Sequence, residues 1–121
     1  MTADQEKQDA ERLVLRKKIQ ENEQMIDELR LEQRQQSESI EESRWKMNQE
    51  TEQLCNLYQE LVYYGDLSAY YRLADVQDIS QHVQGAFRAQ GEAFEDAYQS
   101  ANKQLEETKE SLQKDQEDLV W

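Results

Sequence analysis

The chain holds one histidine, His82, and one cysteine, Cys55, so side chains able to act as base, nucleophile or soft metal ligand are few. Di-iron helical bundles place a glutamate three residues before a histidine on one helix face. Position 79 is isoleucine, so that motif is absent. A Ser-His-Asp or Cys-His arrangement would have to join His82 to distant partners, on a scaffold with no obvious pocket. Carboxylates are abundant, at 27 Asp and Glu, so pairs at helical spacing follow from composition and read as a solvated face. No glycine-rich phosphate loop and no EF-hand pattern is present. A lone cysteine forms no internal disulfide and excludes Cys-rich zinc sites. The expectation is a chain that is not an enzyme, with no cofactor and no metal.

Residues suited to contact are more distinctive. Five of the six tyrosines lie between positions 58 and 71: Tyr58, Tyr63, Tyr64, Tyr70 and Tyr71. Tyrosine offers large contact area with a polar handle and is enriched at interfaces. Here the five can fill the end of a hairpin, contact a partner, or do both. Trp45 stands among Glu41, Glu42, Asn48 and Gln49 at helical spacing, which marks an outward aromatic on a polar face.

The elements that must position these residues follow from a seven-residue repeat. Positions 19, 26, 33, 40, 47, 54 and 61 read Ile, Ile, Gln, Ile, Met, Leu, Leu. Such a repeat requires a long α-helix lying against other helices. With these as the a positions, the d positions run Leu15, Asn22, Leu29, Gln36, Ser43, Glu50, Leu57 and Tyr64, apolar at both ends and weak in the middle. The predicted seam is Ile19, Ile26, Ile40, Met47, Leu54, Leu57 and Leu61, with Leu54 a core position and Trp45, Met25 and Leu31 off it. The first helix is predicted over about 4–63, roughly 90 Å at 1.5 Å per residue. Gly65 and Asp66 supply the one strong turn signal, a left-handed C-terminus followed by an N-cap, within a turn at about 64–68. A weaker signal at Asp75–Ser80 predicts a short separate helix over about 67–75 and a last helix over about 78–119. Ile79, Val83, Phe87, Phe94, Tyr98, Ala101, Leu105, Leu112 and Leu119 carry its apolar stripe. Gly85 and Gly91 flank a register shift, either as tolerated weakness or where another backbone approaches closely. The fold class is all-α: a long antiparallel, coiled-coil-like hairpin forming a single domain over 1–121, with the short helix after the turn as its finer feature.

Composition agrees. The chain has no proline, three glycines, 36% hydrophobic and 34% charged residues, so a few long helices are favoured over a compact core. Two helices bury little surface per residue, and the core should be completed by a partner or a second copy. A net charge of −13 argues against nucleic acid, which needs a basic footprint, and against acidic lipid surfaces. No apolar run approaches a membrane span, and the first residues carry no signal-peptide pattern.

An acidic, proline-free, single-cysteine chain of this length and pattern resembles the small α-helical partner proteins of bacterial type VII (Esx-like) secretion. More narrowly, it is similar to the small helical proteins encoded beside LXG-domain toxins in Firmicutes. The group's Trp-x-Gly turn is replaced here by Tyr64-Gly65. The one match to its aromatic-x-x-x-acidic export signal, Tyr71 to Asp75, follows the turn rather than the second helix. The resemblance implies a non-enzymatic accessory that binds the helical N-terminal region of a secreted LXG-type toxin, or a second small helical protein, and supports export. It implies a bacterial cytoplasmic location, with co-export by a route independent of a signal peptide. The seam, together with Trp45, Tyr63, Tyr64, Tyr70 and Tyr71, would carry the contact. The alternatives are a structural coiled-coil subunit, homo-oligomeric or tethering, and a holdase-like secretion adaptor that binds clients at the tyrosine-rich tip.

Overall fold

The computed structural model describes residues 2–120. Two helices, α1 (Ala3–Tyr63) and α2 (Leu67–Val120), pack against each other as an all-α antiparallel hairpin, with no strand among the described residues. Thr2 opens α1 with a capping box: its hydroxyl accepts from the Gln5 amide at 3.3 Å, and the Gln5 side chain accepts from the Thr2 amide at 3.5 Å.

The reversal is local chemistry. Gly65 adopts φ +92°, the left-handed conformation that a side chain disfavours. Its amide donates to the Val62 carbonyl at 2.9 Å, and the Asp66 amide donates to the Leu61 carbonyl at 3.0 Å. That pair of bonds is a Schellman motif, which satisfies carbonyls that the end of a helix leaves open. Asp66 then caps α2, its carboxylate accepting from the Ala69 amide at 3.1 Å.

The short helix predicted over 67–75 is not a separate element. α2 runs unbroken from Leu67, and the signal at Asp75–Ser80 does not interrupt it. A cap residue permits a break but does not cause one. Ala69, Leu73, Val76, Ser80 and Val83 step by four and three through the supposed break, all covered to some degree, so packing on α1 favours continuity.

Packing falls into two units. One comprises the residues up to Arg34 and from Asp96 onward; the other is Gln35–Glu95. In the first, Leu15 and Ile26 are buried and Ile19 and Leu29 half-buried, as the heptad predicts. Asn22 is buried among them at 5% exposure. Its amide donates to the Leu105 carbonyl of α2 at 3.3 Å, while its Oδ1 is buried without a hydrogen-bond partner. Arg12 donates to the Leu119 carbonyl at 3.1 Å, placing a cation at the C-terminal turn of α2. Arg30 and Glu106 pair across the helices at 3.7 Å, both largely exposed.

In the second unit, Gln35–Glu95, the seam departs from the heptad. The covered α1 positions are Ile40, Arg44, Thr51, Cys55, Tyr58 and Val62. From Gln33 to Val62 is 29 residues in about eight turns, or about 3.6 residues per turn. A helix followed at that pitch drifts about 20° per heptad away from a strict seven-residue stripe. Met47, Leu54, Leu57 and Leu61, predicted as seam, are therefore rotated toward solvent. On α2, Ser80 takes the covered place predicted for Ile79, which is 61% exposed. The only buried described residue of this unit is Ala69.

Gly85 and Gly91 do not mark a close backbone approach, since an added Cβ at either would meet nothing within 4 Å. Gly85→Ala and Gly91→Ala should each stabilise the hairpin by about 1 kcal/mol through helix propensity, read as a higher urea midpoint. Asn22→Leu should also raise the midpoint, by about 1–2 kcal/mol, because it removes a buried unsatisfied acceptor. A lower midpoint for Asn22→Leu would show that the Leu105 bond outweighs that penalty.

Candidate functional site

His82 is exposed, and its Nδ1–H donates to the Asp78 carbonyl one turn earlier at 2.9 Å, with the Asp78 carboxylate 3.9 Å away. Cys55 is free and half-buried on the α1 seam. No group of three or more His, Cys, Asp or Glu among the described residues is placed to hold a metal ion. Partial burial, and then the nearby Glu32 carboxylate, raise the Tyr98 phenol above its ordinary value. Tyr98 belongs to the half-buried stripe of α2.

The predicted contact residues divide by surroundings. Ile19 and Ile26 lie in the interhelical seam of the first unit, so their apolar surface is already used within the hairpin. Ile40 is half-buried in the second. Met47, Leu54 and Leu61 are each a little over a third exposed, Leu54 at 39%, and Leu57 is 53% exposed. They form a shoulder beside the seam rather than its floor. That outcome corrects Leu54 as a core position: its side chain borders the interhelical contact and also meets solvent.

Trp45 is 62% exposed on α1. The tyrosines of the tip do not converge on one face. Tyr63 and Tyr64 make an edge-to-face contact at 5.4 Å between ring centroids, and Tyr70 and Tyr71 make another at 5.6 Å. All four are exposed, while Tyr58 is half-buried toward α2. Tyr70 and Tyr71 are consecutive helical residues about 100° apart, so that pair spreads around α2, while Tyr63 ends α1 and Tyr64 lies in the turn. Gly65 and Asp66 hold the turn and are structural in it. Of the export-signal pattern, Tyr71 and Asp75 are both exposed, one turn apart at the start of α2.

Ile79 of α2 is the contact candidate that the sequence placed wrongly, as packed stripe rather than open surface. Its signal was available in the 4–3 spacing of Ala69, Leu73, Val76, Ser80 and Val83, which leaves Ile79 to one side. Leu13, Val14, Met25 and Leu31 are exposed apolar residues of the first unit. Val14 lines a shallow groove there with Ala10, Leu15 and Leu119, bordered by Lys7 and Asp118. No helix among the described residues is long and apolar enough to cross a membrane. Comparison with protein-family models, with curated proteins and with solved structures finds no match.

Three substitutions separate floor, shoulder and surface. Ile26→Asp places a charge in the buried seam and should cost about 3 kcal/mol or more. Leu54→Asp should cost about 1 kcal/mol, because its carboxylate can reach water. Trp45→Ala should change stability by less than about 0.5 kcal/mol. Thermal melts followed by circular dichroism at 222 nm rank the three, and a Leu54→Asp loss equal to that of Ile26→Asp would return Leu54 to the core.

Proposed function

We propose that this chain is a non-enzymatic helical partner protein. It completes a helical bundle with the N-terminal helical region of a secreted LXG-type toxin and supports that toxin's export by a type VII route. The observation that carries this reading is the uncovered shoulder of α1. Met47, Leu54, Leu57 and Leu61 keep their apolar character at heptad spacing, yet the hairpin's own second helix leaves them partly open. Apolar side chains at a and d spacing are what a further helix needs for knobs-into-holes packing. An extended apolar strip rimmed by polar residues is the ordinary mark of an association surface.

The thin core supports the same reading. A hairpin whose second unit has only Ala69 buried among its described residues gains stability when another helix covers it. The acidic charge of −13 then keeps the chain dispersed before assembly, in the cytoplasm of the producing cell on this reading. Association needs no catalytic step: burying paired apolar faces provides the free energy, and complementary charge provides speed and selectivity.

Affinity purification of the tagged chain from its native cells, with mass spectrometry and light scattering of the purified complex, tests the proposal. The expected result is one LXG-type toxin, with or without a second small helical protein, in fixed stoichiometry. Recovery of a stable homo-oligomer alone would sink it and identify a structural coiled-coil subunit.

A further inference from the structure

The Gln84 side chain of α2 donates to the Asn48 side chain of α1 at 3.2 Å, and this bond marks one side of the seam in Gln35–Glu95. Counting about 100° per residue, Met47, Leu54 and Leu61 fall on the shoulder of α1 opposite Asn48. By the same count Ile79 and Ala86 fall on the shoulder of α2 opposite Gln84. The two shoulders lie on the same side of the hairpin, because the Asn48–Gln84 bond occupies the other. The bond also sets the level of the antiparallel helices. Five residues back from Gln84 is Ile79 and five forward from Asn48 is position 53, so Ile79 stands level with Leu54 to within one residue. Ala86 stands level with Met47 in the same way. The two helices thus form a groove walled by Met47, Leu54 and Leu61 on α1 and by Ile79 and Ala86 on α2, with Arg72 on the α2 wall near the turn.

The charge around this groove selects its occupant. Gln35–Glu95 carries 11 Asp and Glu against 4 Lys and Arg, a net of −7. Glu50 on the α1 rim and Asp75 on the α2 rim are exposed, and neither is engaged by an ion pair among the described residues. Lys46, farther round α1, is paired with Glu42 at 3.5 Å, and Arg72, near the turn, is the cation of the groove. A second copy of the chain would set −13 against −13 and carboxylate against carboxylate, which repels.

Resting on the proposed function, we infer that the groove between Met47, Leu54 and Leu61 of α1 and Ile79 and Ala86 of α2 docks an amphipathic α-helix of another protein, its apolar stripe flanked by Lys and Arg. The bound helix places its a and d side chains between the two shoulders. Its flanking cations meet Glu50 on one wall and Asp75 on the other, in the manner of e and g pairs in a coiled coil. The arrangement is a three-helix bundle over this part of the chain, and Ile79, exposed in the hairpin alone, becomes a core residue.

A fluorescein-labelled synthetic 28-residue helix with Leu at a and d and Lys at the flanks probes the groove of the full chain by fluorescence anisotropy. Saturable binding is expected. It should weaken at least tenfold for a scrambled peptide of the same composition, for a peptide with Glu replacing Lys, and for the Leu54→Asp/Ile79→Asp variant. Ile79→Asp alone, on the surface of α2, gives the same reading if the double variant loses helicity, and should weaken binding at least threefold. Leu13→Asp/Leu31→Asp, which changes exposed apolar residues of the other unit, should bind as the parent does. Equal binding of the scrambled or Glu-flanked peptide, or indifference to both Ile79 variants, overturns the inference. So does a concentration-dependent dimer of the parent chain, in sedimentation, that Ile79→Asp abolishes, since the occupant is then a second copy. Undiminished toxin capture by the double variant sinks the groove while leaving the proposed function standing. Peptide binding that obeys all controls, with no toxin recovered by the parent chain, sinks the function and leaves the groove.

Discussion

An α-helix makes 3.6 residues per turn, and the apolar repeat of this chain is seven. The two periods agree over a few turns and separate over many. Where the helices stay in phase, in the residues up to Arg34 packed against those from Asp96 onward, Leu15, Ile19, Asn22, Ile26 and Leu29 face α2 as a heptad seam should. In Gln35–Glu95 the covered positions follow the natural pitch instead, and the interface is made by Arg44, Thr51, Cys55, Tyr58 and Val62. The larger aliphatic residues of the repeat become the border of the contact. Which surface is core and which is open follows from this mismatch, and so does the groove argued for above.

The second constraint is that the chain can turn back in one place. Proline is absent, and among the described residues only Gly65 has positive φ. The Schellman bonds at Gly65 and Asp66 and the Asp66 cap satisfy the ends of both helices within three residues. A reversal this short keeps neighbouring stretches of α1 and α2 antiparallel and close. It also puts tyrosines on both sides of the turn, where they meet in edge-to-face pairs rather than forming one patch.

The parts of the structure that were legible in the sequence are those set by local interactions. The turn could be read because a glycine and an aspartate suffice to build it. The helix limits near 3 and 63 and the outward Trp45 could be read for the same reason. The early seam was legible because phase error has not accumulated over so few turns. The shoulder of Leu54 and Leu57 was not, because its position depends on pitch summed over the whole of α1 and on which stripe of α2 meets it. The polar residues Gln36, Ser43 and Glu50 at successive d positions were the trace of that drift, and the heptad alone left open whether they were a weak stretch of one seam or a face turned to solvent or a polar partner. The short helix over 67–75 failed for a related reason: Asp78 and Ser80 are competent caps, but the continuous stripe of α2 made a break costly. The candidate contact surface was thus half legible. On α1 the apolar types at heptad spacing were legible and their exposure was not, and Ile79 was assigned to the packed stripe although it is exposed.

Asn22 and the groove express one logic at two levels. A buried asparagine in an apolar seam costs stability and restricts the alignments that the helices can adopt, since only some registers give its amide a partner. Within Gln35–Glu95 the Asn48–Gln84 bond plays the aligning part by itself. With Asn48 opposite Gln84, Leu54 and Ile79 are brought level, and a groove that neither helix possesses alone comes into being. Had α2 slipped by a heptad, Ile79 would stand beside a different turn of α1 and the two shoulders would no longer match. On the proposed reading, the polar contacts within the hairpin set the shape of the surface, its aliphatic walls set the affinity, and its unpaired carboxylates choose the charge of the partner.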